Sequence, residues 1–326
     1  MTAMNLDSIL QPIAAELEEF EGQFRIAMSS KIPFVDMIAR YVAKQKGKRI
    51  RPALVLLTAK ACGGVVASTH RGAALVEILH TATLIHDDVV DDADTRRGLA
   101  SINAVWKNKV AVLMGDYMLA KGLLLSIDND DFHFLKITSD AVRRMSEAEI
   151  LQIAKSRDLD LDEKTYLRII SGKTASLIST STQIGASSAS KDAELAERMR
   201  VFGENLGMVF QIKDDLLDYT GRKSITGKPT GIDLKEKKLT LPLIYAFTQA
   251  PRERTKKVLK AIKDGPSGRD VHQIVEFAHE FGGIDYATRR ARDYSDAARE
   301  ALSVLPASAA KDSLTAFVTF VLERTK

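Results

Sequence analysis

Six aspartates stand in two copies of one pattern, Asp-Asp-x-x-Asp, at Asp87, Asp88 and Asp91 and again at Asp214, Asp215 and Asp218. Each copy follows an apolar run with helical spacing, ending in Leu84-Ile85-His86 and in Phe210-Gln211-Ile212-Lys213. On a helix, residues four apart share a face, so Asp87 lies over Asp91 and Asp214 over Asp218. Like charges at that spacing repel and raise one another's pKa. The helix dipole favours acids at the N-terminal end, yet both copies sit at the C-terminal end of their runs. A divalent cation removes both costs. Hard carboxylate oxygens without an accompanying Cys or His ligand set favour Mg²⁺, which keeps several waters and bridges carboxylates to substrate phosphates. One such cluster could equally be a solvated helix end; the recurrence favours a metal. His86, beside so many carboxylates, reads as a packing or hydrogen-bonding residue.

A diphosphate held by metal also needs cationic side chains. The candidates are Lys48, Arg51, Arg96, Arg97, Lys173, Lys228 and Lys238. Arg96 and Arg97 follow the first acidic cluster so closely that they must lie at its rim. Arginine offers bidentate phosphate contact and lysine a mobile point charge. Lys173-Thr174 follows Gly172 in a helical stretch rich in small residues. Lys44, Lys46, Lys235 and Lys237 read as solvated surface, although spacing alone does not sort one group from the other.

The elements that carry these residues are helical. The 326-residue chain is 45% hydrophobic, with eight scattered prolines and long stretches of Ala, Leu, Glu, Lys and Arg. Helices are predicted over 5–28, from Pro33 to Tyr41, from Pro52 to Cys62 and from Ser68 into the first acidic cluster. Further helices are expected over 103–127, 131–156, 162–186, 191–219, 240–250, 252–263, 269–281, 285–304 and 307–325. Residues 220–239, rich in Gly, Lys and Thr, form the longest irregular stretch, a length that usually carries function. The single Cys62 excludes an intrachain disulfide and fits a reducing, cytoplasmic setting. A net charge of +4 is too mild to indicate nucleic acid. No secretory leader stands out, and no apolar segment is expected to reach the ~20 residues that span a bilayer. One all-α domain over 1–326 is the expectation.

The chain resembles the all-trans polyprenyl diphosphate synthases along nearly its whole length. The resemblance rests on G-K-R-I-R-P at 47–52, H-D-D-V-V-D-D-A-D-T-R-R-G at 86–98, G-K-T-A at 172–175, F-Q-I-K-D-D-L-L-D at 210–218 and G-K-P-T-G-I-D-L-K-E-K-K-L-T-L-P at 227–242. It implies an antiparallel helical bundle around a central cavity, a homodimer, and about three Mg²⁺ ions per site held by the six aspartates. By the same resemblance, Arg96, Lys173, Gln211, Lys228 and Lys238 contact the allylic diphosphate. Lys48, Arg51, His80 and Arg97 hold isopentenyl diphosphate, and Thr174 and Gln211 help to stabilise the carbocation. The chain departs from the family pattern at Lys237, where glycine is frequent, so the roles of the lysines at 235–238 stay open.

Product length is expected to depend on the helix below Asp87. Ala82 and Thr83, five and four residues earlier, are small, whereas a Phe or Tyr there would plug the cavity. The helix back to Thr69 flanks about five isoprene units at ~5 Å each, which points to a medium or long product primed by farnesyl diphosphate. Leu79 marks the next layer, with Leu113, Met114, Met118 and Leu123 as floor candidates on 103–127. The alternatives are a short-chain synthase with a plug at the Leu79 layer, a class I terpene cyclase and a non-catalytic subunit of a heteromeric synthase. The second full acidic motif and an aromatic content of only 6% argue against a cyclase, and the retention of both motifs argues against a subunit.

Overall fold

In the computed structural model, the described residues are 5–45, 47–220, 234 and 236–325. They form helices α1 (Leu6–Leu10), α2 (Ala14–Met28), α3 (Pro33–Lys44), α4 (Ile50–Cys62) and α5 (Ala67–Val90). A small antiparallel hairpin follows, β1 (Thr95–Arg96) with β2 (Leu99–Ala100). Next come α6 (Ile102–Ile127), α7 (Phe132–Asp158), α8 (Glu163–Ile170), a π-helical turn (Ser171–Ala175), α9 (Ser176–Ala189) and α10 (Ala193–Thr220). Helices α11 (Leu241–Gln249), α12 (Arg252–Asp264), α13 (Gly268–Glu280), α14 (Gly283–Ala301) and α15 (Ala309–Glu323) complete the fold. The all-α expectation holds.

Helix α4 is buried from Pro52 to Ala59, so an all-round apolar sequence sits at the centre of the packing. It lies between α9 and α5, and α5 in turn packs on α6 and α9. A second apolar cluster, built on Ile212, Leu216, Leu241, Leu243, Ile274 and Phe277, gathers α11, α13 and α14 around the end of α10. Both acidic motifs therefore end helices that the core holds along most of their length. Side-chain caps fix the entry to several helices: Ser101 for α6, Asp162 for α8, Ser267 with Asp270 for α13 and Ser308 for α15.

Several boundaries differ from expectation. The stretch 5–28 is broken by a 3₁₀ turn at Gln11–Ile13, where Pro12 interrupts the α pattern. Helix α4 begins at Ile50, which makes Pro52 its third residue. A first-turn proline costs nothing there, because that N–H has no partner within the helix. The stretch 162–186 contains the π turn, and 285–304 ends with a 3₁₀ turn at Leu302–Val304. Cys62 is partly buried at the end of α4, and burial pushes its thiol up to about 12, in keeping with a residue without chemistry.

One helix bears on the membrane expectation without overturning it, since a core helix can have the same length and composition. Helix α6, 26 residues long, is long and apolar enough to cross a membrane by length and composition. Its scattered Lys107, Lys109, Asp116 and Lys121 hide this in the sequence. One face, with Met114, Met118 and Gly122, packs against α5, while Val112, Leu113, Leu123, Leu124 and Ile127 are exposed.

The π turn is locked against α7. A Cβ at Gly172 would stand 2.6 Å from the Ala148 Cβ and 2.7 Å from the Arg144 carbonyl oxygen. Gly172→Ala should therefore cost about 1–3 kcal/mol through overpacking. Denaturant unfolding of the variant beside the parent protein measures it.

Candidate active site

The end of α5 is fixed by the hairpin. Asp88 is buried, and its Oδ1 accepts from Arg96 Nε at 2.8 Å and from a second Arg96 nitrogen. Asn103, at the start of α6, donates to the carbonyls of Asp88 and Ala93, each at 3.1 Å, and the Ser101 hydroxyl donates to Ala93 O at 2.6 Å. Asp87 is half-buried and Asp91 exposed. Burial pushes the Asp87 carboxyl up to about 6; Lys173 works against that rise, while Glu149 and Asp91 add to it. Lys173 and the first motif thus share one field. His86 packs over Gly115 with its Nε2 3.3 Å from the Val112 carbonyl and 3.4 Å from Asp116, so it is the packing residue expected.

The second motif repeats this logic with other partners. Asp215 is buried, accepting from the Tyr166 hydroxyl at 2.6 Å and from Gln211 Nε2 at 2.7 Å. Gln211 Oε1 in turn accepts from the Thr174 hydroxyl at 2.6 Å. Asp214 is exposed and meets Arg324 at 3.1 Å, while Asp218 is half-buried. Arg324 also donates to the Phe210 carbonyl at 2.9 Å, with its guanidinium 4.0 Å from the Phe210 ring centroid. In both motifs the middle aspartate is committed to protein donors, and the first and last positions are the more accessible.

The π turn lies between the two motifs. Lys173 Nζ donates to Glu149 Oε2 at 2.6 Å and Gln152 Oε1 at 3.0 Å, while the next residue, Thr174, reaches the second motif through Gln211. Lys173, Thr174, Tyr166, Gln211, Asp215 and Lys238 line one cavity of about 120 Å³. Lys238 also pairs with Glu236 at 2.6 Å. Lys228 lies outside the described residues.

A separate basic group forms where α4 begins. Arg51 Nη1 donates to His80 Nε2 at 2.9 Å, since a guanidinium has no acceptor. Burial lowers Arg51 to about 10. Burial first, then Arg51, Arg97, Arg96 and Arg49, hold His80 well below the ordinary imidazole range, so it is neutral. Arg97 donates to the Gln45 carbonyl at 2.9 Å and packs its guanidinium against Gly47; Lys48 is exposed.

Below the first motif, Ala82 is fully buried and Leu79 nearly so, while Thr83 is half-buried and donates to the His80 carbonyl at 2.9 Å. Met114 and Met118 face inward as expected. Leu113 and Leu123 are 59% and 44% exposed, so they are not part of any floor formed within this chain. The sequence reading missed Arg49, Asn103, Glu149, Tyr166 and Arg324. Glu149-x-x-Gln152, at helical spacing, is the one local signal available in advance; the others meet partners too distant in sequence.

The site fits Mg²⁺ as far as its donors go. All six aspartates are hard oxygen donors, and the adjacent His86 turns its Nε2 to Val112 and Asp116, so no Cys or His set favours zinc. No three Asp, Glu, His or Cys side chains among the described residues converge on one point. An ion there would complete its shell with water and substrate oxygens.

Residues 32–278 match the family described as Polyprenyl synthetase. The chain belongs to that family. It is 37% identical over 317 residues to the all-trans-nonaprenyl-diphosphate synthase (geranyl-diphosphate specific) of Rhodobacter capsulatus, covering 97% of each. It is 33% identical to the octaprenyl diphosphate synthase of Escherichia coli K12, covering 98% of this chain and 99% of that one. The crystal structure of a polyprenyl synthase from Caulobacter crescentus CB15, complexed with calcium and isoprenyl diphosphate, superposes with a TM-score of 0.90. It is 32% identical, and the match covers all of both chains.

The raised Asp87 pKa has a consequence for stability. Without metal, the folded chain holds this proton more tightly than the unfolded one, whose carboxyl titrates near ~3.9. The stabilisation is full below that value and is lost as pH rises through about 6. In EDTA, Asp87→Asn should raise Tm relative to the parent above about pH 7, by roughly 2–4 °C, and leave it unchanged near about pH 4. Thermal scans at the two pH values check this.

Proposed function

We propose that this chain condenses isopentenyl diphosphate with an allylic diphosphate, farnesyl diphosphate being the expected primer, and releases a medium- or long-chain all-trans polyprenyl diphosphate. The observation that carries the reading is the π turn, which sets Lys173 in the field of Asp87 and ties Thr174 through Gln211 to Asp215. A diphosphate between the two acidic helix ends would meet a lysine, a hydroxyl and an amide on rigid elements.

Mg²⁺, about three ions between the two motifs, would neutralise the leaving diphosphate. Asp87, Asp91, Asp214 and Asp218, the more accessible members of the two motifs, would hold the ions. Asp88 and Asp215, tied to Arg96 and to Tyr166 and Gln211, orient the two helix ends, and Arg96 first of all balances Asp88. Lys173 and Lys238 share the charge that develops as the allylic carbon–oxygen bond breaks. Thr174 and Gln211 present dipoles beside the cation that remains. Lys48, Arg51, neutral His80 and Arg97 hold the second diphosphate so that its isoprenoid double bond attacks that cation. The proton then lost passes to the released diphosphate. Preorganised electrostatics and positioning carry the catalysis.

The buried, small Ala82 below Asp87 supports a chain that extends past this layer, as do relatives named for octaprenyl and nonaprenyl products. The exposed Val105, Val112, Leu113 and Leu124 on α6 support a homodimer, in which a second copy covers an otherwise wet apolar face.

The deciding assay combines purified protein, Mg²⁺ and labelled isopentenyl diphosphate with geranyl or farnesyl diphosphate, and sizes the dephosphorylated products. Products of roughly six or more units, at about 5 Å per unit along α5, are expected. A stop at three or four units would overturn the chain-length reading, and no incorporation by folded protein would overturn the activity. Ala82→Phe should shorten the product; an unchanged distribution would mean that the chain runs along another face. Asp215→Asn should lower turnover about 10–100-fold with the fold intact by circular dichroism.

A further inference from the structure

Arg49 is the basic residue at the cap position immediately before α4. Its backbone is left-handed (φ 49°, ψ 33°), a conformation that a residue with a side chain rarely adopts unless its surroundings enforce it. The enforcement is visible. Nε donates to Glu21 Oε1 at 3.0 Å and Nη1 to Glu77 Oε1 at 2.6 Å, while the guanidinium lies 4.8 Å from the Phe24 ring centroid. Glu77 is 4% exposed, so this is a buried pair, and breaking it would strand a charge.

The placement of Glu77 gives the pair its meaning. Glu77 precedes His80 by three residues on α5, and His80 receives Arg51. Two contacts from one helix start, Arg49 to Glu77 and Arg51 to His80, therefore dock onto a single turn of α5. Glu77 is also the carboxylate that favours the charged forms of Arg51 and Arg97. Left without Arg49, its charge would be available to both arginines and would compete with a diphosphate for them.

We propose that Arg49 is a positioning residue for isopentenyl diphosphate: its clamp on Glu77 and Glu21 holds the left-handed turn from which Lys48 and Arg51 depart, and keeps Glu77 from capturing Arg51 and Arg97. This rests on the reading above that Lys48, Arg51, His80 and Arg97 hold isopentenyl diphosphate. The allylic contacts Lys173, Gln211 and Lys238 lie outside α4 and α5, and only Arg96 neighbours this basic group in the hairpin, so the effect falls mainly on one of the two substrates.

The test is steady-state kinetics of the full chain with each substrate varied in turn, for Arg49→Met, Arg49→Lys, Glu21→Gln and Arg51→Ala. Arg49→Met should raise KM for isopentenyl diphosphate about 10-fold or more, the effect of one lost charged hydrogen bond, with KM for the allylic substrate within about twofold. Arg49→Lys, able to keep one contact with Glu77, should recover part of the loss. Glu21→Gln, at the more exposed partner, should cost about 2–3-fold. Should Arg49→Met not fold, Arg49→Lys and Glu21→Gln decide, and wild-type KM in both overturns the inference. Equal rises in both KM values, or a wild-type KM in folded Arg49→Met while Arg51→Ala raises it, also overturn it and leave the site reading intact. A wild-type KM in Arg51→Ala would overturn the site reading itself, and the inference with it.

Discussion

The structure depends on bringing six carboxylates to the ends of two helices without letting their repulsion pull those ends apart. Two of the six are removed from the problem by burial against protein donors, Asp88 by Arg96 and Asp215 by Tyr166 and Gln211. Each then anchors its helix end, and the accessible aspartates are carried on a frame whose buried carboxylates are already hydrogen-bonded. Asp87 shows what remains: a carboxyl that the fold alone leaves too basic, in a place where a cation would relieve it. The site is strained towards charge it does not itself contain.

That constraint explains the elements around it. The hairpin at Thr95–Ala100 is short because its task is to return Arg96 to Asp88 within eight residues. The π turn is kept because Lys173 and Thr174 must serve opposite sides of one cavity from consecutive positions, and π turns inside α-helices recur at functional sites. The close approach of α7 at Gly172 makes that irregular turn rigid. Basic residues are likewise balanced, Lys173 by Glu149, Lys238 by Glu236 and Arg49 by Glu77 and Glu21. Before substrate arrives, few of these charges face water alone.

Much of this was legible in the sequence, and what was not has physical reasons. Helix positions follow from apolar periodicity, and the recurrence of the acidic motif identifies both helix ends. The motif does not say that its middle aspartate turns inward, because three identical residues differ only in what packs beside them. Tyr166, Arg324 and Arg49 meet partners dozens of residues away, a relation that periodicity does not carry. The π turn is silent because Gly172-Lys173-Thr174-Ala175 contains no proline, and an isolated glycine is tolerated inside a helical pattern. Leu113 and Leu123 misled because α6 is apolar on two faces, and a stripe does not reveal whether it is covered from inside the chain or from outside.

The π turn also bears on how such a chain can change. It holds one residue more than an α-helix needs for the same rise, so the surplus is absorbed inside the turn and α8 and α9 keep nearly the phase of one continuous helix. Losing one residue between Ser171 and Ala175 would let the turn close into α-helix and leave the flanking helices close to where they are. The loss would fall on the turn itself, where Lys173 meets Glu149 and Thr174 meets Gln211 from consecutive positions. A one-residue gap here would be tolerated by the fold and felt by the site.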